Sequence, residues 1–404
     1  MTRRGHAARR APATPRTPGI DPRPAIYLDH AATSWPKPQP VIEAVTHALT
    51  HLGGNPGRGA YQMALAASRA VFEARRECAA LLGVADPSRL VFQPSCTAAC
   101  NLMLKGSLRE GERVVVGSME HNAIARPLAR LASRAGVEVV VVQADPSGLV
   151  DPGDIEREVR AAPTRAVVCQ HASNVTGAIQ PLQDLADIAR EAGALLLVDG
   201  AQGAGHLDVD LGELGADAYA ASGHKGLLGP QGVGLLYVRP GLILDEQIEG
   251  GTGAGASESL EMPPELPDRY EAGTANMPGI AGLGAGVRFL AAQGSAQRER
   301  EAALARRLHE GILGIRGFRV LGPPPKVDRV PLVAAVHAEV EADRIAFELD
   351  RAHGIAVRAG LHCAPWAHDT VGTLACGAVR FGIGWDTTQA QVDRVLEVLA
   401  GTVA

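Results

Sequence analysis

The stretch SGHKGLLGPQGVG, residues 222–234, sets one lysine among glycines just beyond an apolar run. A lysine in such a turn is ordinarily a solvated surface cation. Held in place, its amine can also form a Schiff base with a carbonyl cofactor. A pyridine-type cofactor needs a carboxylate for its ring nitrogen. LLLVDGAQ supplies Asp199 at the end of an apolar run, with Gln202 three residues on. An aspartate there could equally cap a helix, but ligands of open α/β sheets gather outside the carboxyl ends of the strands. FQPSCTAACN, residues 92–101, puts Ser95, Cys96 and Thr97 where a helix should start. Free N–H groups at that point bind a phosphate, or a Ser/Thr simply caps them.

A fourth stretch, VRAGLHCAP, carries Cys363 next to His362 and five residues after Arg358. A thiol near positive charge is partly thiolate and therefore nucleophilic. Its rival readings are a packed structural cysteine, a zinc set made of His362, Cys363, His368 and Cys376, and Cys376 as the reactive thiol instead. The zinc set lacks compact ligand pairs at both ends. Cys376, just before a strand, is expected to be packed, and Cys78, Cys100 and Cys169 fall in apolar stretches and are expected to be buried.

These residues need a scaffold. Strand-like runs occur at 113–117, 138–143, 166–170, 194–199, 217–222 and 233–238, with helical spacing between several of them, as at 182–192. That alternation predicts an α/β domain with a mostly parallel sheet covered on both faces. Val41, Val45, Leu49 and Leu52 recur at helical spacing. Residues 1–24 are rich in Arg and Pro and are expected to be a disordered tail. Residues 25–284 are expected to form a large domain, with the first segment packing on a small α/β domain of residues 285–404. Residues 251–279, rich in Gly, Pro and Glu, are expected to be a long loop.

The chain has 404 residues and a formal net charge of −5, which argues against nucleic acid or a membrane surface as the main partner. Its six cysteines form no CxxC pair and no apolar signal segment opens the sequence, so a reducing cytoplasm is expected.

Taken together, YLDHAATSWP, SMEHNA, SNVTG, LVDGAQ, SGHKGLLGPQGVG and YEAGTANMPG follow the order found in the cysteine desulfurases, and the chain resembles that family from about residue 25 to 400. These are class V, fold-type I pyridoxal-phosphate enzymes, with a seven-stranded, mostly parallel sheet in the large domain. Within the family the chain looks like the SufS-type and selenocysteine-lyase-like branch, whose R-x-G-x-H-C-A pattern is matched by RAGLHCA, residues 358–364. The resemblance implies that Lys225 carries pyridoxal 5'-phosphate and shuttles a proton, Asp199 holds the ring nitrogen and Gln202 the phenolic oxygen. His121 would stack on the ring, with Asn174 beside it. Cys96, Thr97, Ser222 and His224 would surround the phosphate. Arg380 and Arg358 would bind the substrate carboxylate, bordered by Ala31 and Asn174, and Cys363 would accept sulfur from L-cysteine. Thr274 and Arg58 match positions that reach the neighbouring subunit's site, which implies a homodimer. A sulfur-acceptor protein and a place in iron–sulfur cluster assembly belong to the same family picture.

The chain departs from that pattern in places. Where the SufS-type phosphate loop commonly has G-T-T-E, Ser95-Cys96-Thr97-Ala98 stands here, so no acid at that position can pair with His362. Asp386 replaces the usual Asn. The departures leave the cofactor set whole and open the questions of substrate, activation and acceptor, setting the chain apart from the housekeeping iron–sulfur enzyme. Selenocysteine lyase, another class V lyase, epimerase or aminotransferase, and a non-enzymatic sulfur carrier or scaffold remain as rivals. A nicotinamide dehydrogenase fails for want of a G-x-G-x-x-G after the first strand.

Overall fold

The computed structural model describes residues 24–57, 59–253 and 259–402. The Arg/Pro-rich stretch up to residue 23, and Arg58, lie outside the described residues.

Apolar runs of four or five residues become strands wherever both faces can be covered. In chain order the strands are β1 (Ile26–Tyr27), β2 (Leu90–Gln93), β3 (Arg113–Gly117), β4 (Glu138–Val142), β5 (Ala166–Gln170), β6 (Leu195–Asp199), β7 (Ala218–Ser222) and β8 (Gly234–Val238). They are followed by β9 (Phe318–Leu321), β10 (Leu332–His337), β11 (Ile355–Ala356), β12 (Arg358–Gly360) and β13 (Ala378–Gly382). A seven-stranded sheet runs in the order β2-β8-β7-β6-β5-β3-β4. The pairs from β7 through β6, β5 and β3 to β4 are parallel, and β8 lies antiparallel to both its neighbours. Successive side chains alternate between two buried cores. Val115, Val167, Leu196 and Val198 face one side, and Val114, Val116, Val168 and Leu197 the other. Both faces are apolar because helices cover both, as the sequence pattern predicts.

The second sheet is four-stranded and antiparallel, in the order β12-β13-β10-β9. Its core holds Val333, Val379 and Phe381 under Ile345, Leu349 and Val395 from two helices. The segment at 26–29 joins this body: β1 pairs with β11, and Gly382 N–H donates to the Leu28 carbonyl at 2.7 Å.

One long helix, Met277–Leu313, links the two sheets, so the expected loop ends earlier than residue 279 and the 284/285 boundary falls inside a helix. Gly294, at φ 62° and ψ −150°, breaks it into two rods. Only glycine takes that backbone without strain. The first rod packs on helices Gln39–His51 and Gln62–Leu81, and the second sends Leu304, Leu308 and Ile312 into the smaller core. The spacing in helix Gln39–His51 is helical as expected, yet only Val41 and Ala48 are buried there, and Leu49 is 68 % exposed.

Candidate active site

Parallel strands end on the same side, and the site stands there. Gln170, Asp199 and Ser222 are the last residues of β5, β6 and β7. The chain then turns, and Lys225 follows Ser222 by three residues. The turn is tight enough to need glycine. A Cβ on Gly226 would lie 2.4 Å from the Ala204 carbonyl oxygen. The opposite wall is the start of helix Cys96–Ser107, where Ser95 caps by accepting from Ala98 N–H at 3.1 Å. It is also the start of helix Asn122–Ala135, capped by His121.

These elements enclose a cavity of about 220 Å³. Thirteen expected residues line it: Ala31, Cys96, Thr97, His121, Asn174, Asp199, Gln202, Ser222, His224, Lys225, Arg358 and Arg380, together with Ser95. The Lys225 ammonium has no hydrogen bond or ion pair within reach among the described residues. Burial lowers its pKa, while Cys96 and Asp199 pull the other way. His121 Nδ1 accepts from Ala123 N–H at 3.0 Å, which puts the ring hydrogen on Nε2. Burial lowers its pKa too. Burial takes His224 down to about 4, helped by the charges of Lys225 and Lys37, and its Nδ1 has no partner. Gln202 donates to the Ala31 carbonyl at 2.8 Å, with a second N–H to spare.

Arg380 sits in the middle of β13 with 1 % of its surface exposed. Its Nη1 donates to the Asn174 carbonyl and its Nη2 to Asp29 Oδ1, each at 3.0 Å, and its Nε has no partner. Asn174 in turn donates to the His362 carbonyl at 2.8 Å and leaves its own Oδ1 unpartnered. So one guanidinium and one amide, both buried, keep free capacity beside the cavity.

Cys363 does not line this cavity but borders the adjoining hollow, with Thr97 and His121 common to both. It is exposed, with Arg358 Nη2 3.6 Å from its sulfur. His362 and Cys363 both have positive φ, 50° and 57°. Two such residues in a row are strained, and the carbonyls that hold them accept from Asn174 and from Asn122 N–H at 2.9 Å. His362, lacking an acid to pair with, meets His368 at 3.2 Å, and His368 meets Thr373 Oγ1 at 2.7 Å. Burial lowers His362 to about 2 and His368 to about 4.

Some expectations need correction or do not meet at this cavity. Cys376, expected to be packed, is exposed, because the turn before β13 leaves it at the surface, its sulfur near the Thr373 and Gly377 carbonyls. Thr274 is exposed and lines a different hollow, beside Gly232 and Asn276. Cys78, Cys100 and Cys169 are buried. Among the described residues, the metal-ligating atoms that come together in a trio are Cys96, Cys100 and Asp199, and Cys96 Sγ is 3.6 Å from Asp199 Oδ1.

Other residues escaped the sequence reasoning. Asp29 neutralises Arg380. Glu120 is buried, accepts from Gln170 N–H at 2.8 Å, and is pushed well above the usual carboxylate range by burial and then by Asp199. Asp29 stood in YLDHAATSWP and Glu120 in SMEHNA, so the motifs contained them without assigning them a task.

The Aminotransferase class-V family model matches residues 26–395. A probable cysteine desulfurase of Methanothermobacter thermautotrophicus is 36 % identical over 94 % of this chain and 96 % of that protein. One from Pseudomonas putida is 36 % identical over 92 % of each. Among solved structures, the apo cysteine desulfurase of Thermococcus onnurineus NA1 superposes with a TM-score of 0.88 at 31 % identity, over 94 % of both chains. The Escherichia coli cysteine desulfurase CsdA, in an S-sulfonic acid form, gives 0.84 at 28 % identity, over 93 % of this chain and 94 % of that one.

Proposed function

The chain belongs to the aminotransferase class-V family, and from that premise we propose that it is a cysteine desulfurase, converting L-cysteine to L-alanine and leaving the sulfur on Cys363 as a persulfide. The observation that carries the reading is that Lys225, half-buried and without a hydrogen-bond partner among the described residues, shares one cavity with Asp199, while Cys363 borders the adjoining hollow.

Pyridoxal 5'-phosphate fits these residues. Asp199 stands at the floor, and His224 Nδ1 and Asn174 Oδ1 are buried polar atoms waiting for a partner. The start of helix Cys96–Ser107 offers N–H groups and the Thr97 hydroxyl for a phosphate. When bound, the cofactor supplies a carbonyl for the substrate amine and an electron-withdrawing ring that acidifies Cα.

The remaining work falls to side chains of this chain. Arg380 and Arg358 bind the α-carboxylate, Arg380 through the capacity its Nε retains. Lys225, its pKa lowered by burial, takes the Cα proton at Nζ and returns a proton to the product. His121, with hydrogen on Nε2, faces the cavity as a flat polar wall. Cys363 Sγ attacks the substrate sulfur: an S–S bond forms and the Cβ–S bond breaks. The carbon keeps the electron pair and is protonated to alanine. Arg358, 3.6 Å away, stabilises the thiolate.

A homodimer is part of the reading. Ile42 and Leu49 on one helix, and Leu65 and Phe72 on another, are each about half exposed or more and stand seven residues apart on their faces. A second copy would cover them and bring Thr274 toward this cavity's phosphate end. A cytoplasmic location is proposed as well. Among the described residues no helix is long and apolar enough to cross a membrane.

The deciding experiment is alanine formation from L-cysteine with a reducing thiol. Native protein and Cys376→Ala should make alanine and sulfide at equal rates, and Cys363→Ala should make neither. Equal turnover by Cys363→Ala would refute the persulfide role. If native protein is inert with L-cysteine but releases alanine from selenocysteine, the selenocysteine lyase reading replaces this one.

A further inference from the structure

Beside the cofactor cavity lies a second one, of about 420 Å³, bordered by Thr97, His121 and Cys363 and walled by Lys105, Arg126 and Arg130. Among the described residues no acidic one lines it. The three cationic side chains carry no hydrogen bond or ion pair to any described residue, whereas Arg157, Arg160 and Arg190 elsewhere each pair with a carboxylate one turn away. Arg126 and Arg130 are four residues apart on helix Asn122–Ala135, so their like charges share a face and repel. Lys105 comes from the neighbouring helix Cys96–Ser107, which packs against it. In a chain of net charge −5 this is a local reversal of sign, and such a cluster draws anions to the cavity.

We propose that this cavity binds a small thiol carrying two or more negative charges, as carboxylates or phosphates, and that this thiol takes the sulfur from Cys363. The inference rests on Cys363 being the sulfur carrier. The volume suits a small molecule. A protein partner would need a surface of roughly 800 Å² on each side. The incoming thiolate attacks the outer sulfur of the Cys363 persulfide. A new S–S bond forms, the old one breaks, and Cys363 leaves as thiolate and takes up the proton. The products are a small persulfide and the free thiol of Cys363, with no oxidant or reductant consumed. Arg358 stabilises the departing thiolate as it does the attacking one.

The test uses holoenzyme loaded with L-cysteine in the absence of acceptor, with bound sulfane sulfur counted by cyanolysis. Transfer is then timed to cysteamine, 2-mercaptoethanol and mercaptosuccinate, with rates expressed per thiolate. Mercaptosuccinate should be at least about tenfold faster than 2-mercaptoethanol, and cysteamine slowest. Arg126→Gln/Arg130→Gln should load sulfur normally but lose that advantage, and high salt should erase it in native enzyme. Equal rates for the three thiols, or an unchanged advantage in the double variant, would overturn the proposal, and a persulfide that ignores all three points to a macromolecular acceptor. If no sulfur loads, the Cys363 reading itself has failed. Calorimetric binding of mercaptosuccinate to native protein and to the double variant then decides the anion site by itself: equal binding, or none, sinks it.

Discussion

Replacing Asp29 by Asn separates the structural charge of Arg380 from its proposed role as a substrate anchor. The Arg380 guanidinium is 1 % exposed and Asp29 22 %, with 3.0 Å between Nη2 and Oδ1. Two unit charges about 4 Å apart attract by about 4 kcal/mol at an effective dielectric of 20. Asn keeps an oxygen in place and so keeps a hydrogen bond, and water reaches Asp29, so about half of that should survive as a measured loss. Asp29→Asn should therefore destabilise the protein by about 2 kcal/mol. Urea unfolding of apoprotein at neutral pH measures this as a shift of midpoint at constant m. If Arg380 binds the substrate carboxylate as proposed, the same change removes a carboxylate that competes for it. KM for L-cysteine should fall or stay level, and kcat should change little. L-Alanine should restore part of the lost stability by supplying a carboxylate. A stability change under about 0.5 kcal/mol would mean the pair contributes no more than an exposed one. A rise in KM as large as that of Arg380→Ala would mean that Asp29 holds the arginine in place instead of competing for it.

Three further outcomes are expected. Gly226→Ala forces a Cβ to 2.4 Å from a backbone oxygen; it should cost about 1–3 kcal/mol and displace Lys225, read as lower urea resistance and weaker cofactor retention. Burial holds His171 at about 4, His362 at about 2 and His368 at about 4. Each is kept neutral in the fold, and the unfolded chain takes up its proton first, below about pH 6.5, so stability should fall from pH 6.5 down to 4 by about 1.4 kcal/mol per pH unit per histidine. His368→Gln should remove one histidine's share of that slope in urea titrations across the window. Finally, Leu49→Asp/Phe72→Asp places charges on the exposed apolar helix faces and should leave a monomer in sedimentation, where native protein sediments as a dimer; native protein sedimenting as a monomer would dismiss the shared-site reading.

Much of the site was legible in the sequence because its signals are local. The strand before Asp199, the glycines around Lys225 and the helix start at Ser95 are each set by a handful of neighbouring residues, and each side chain stands where its motif put it. The parallel sheet could be inferred from apolar runs whose alternate residues both had to be buried. The chemistry on offer, an amine, a carboxylate and a thiol, is a property of residue type and needs no fold to be recognised.

Burial and pairing are another matter, since they exist only once distant segments close on one another. Arg380 and Asp29 are 351 residues apart, and no period or spacing joins them. That Lys225 has no hydrogen-bond partner among the described residues is likewise a property of the folded strand ends, not of its motif. Cys376 looked like a packed residue beside a strand and is exposed, because exposure depends on what else arrives to cover it. Lys105, Arg126 and Arg130 are ordinary helix cations in the sequence; they become one charged wall beside Cys363 because two helices pack side by side at the ends of the parallel strands. The sequence by itself determined which groups could do chemistry and the elements that carry them. The tertiary structure decided which of those groups are buried, which are paired and which face one another, since Coulombic and desolvation energies depend on distances that only the folded chain defines.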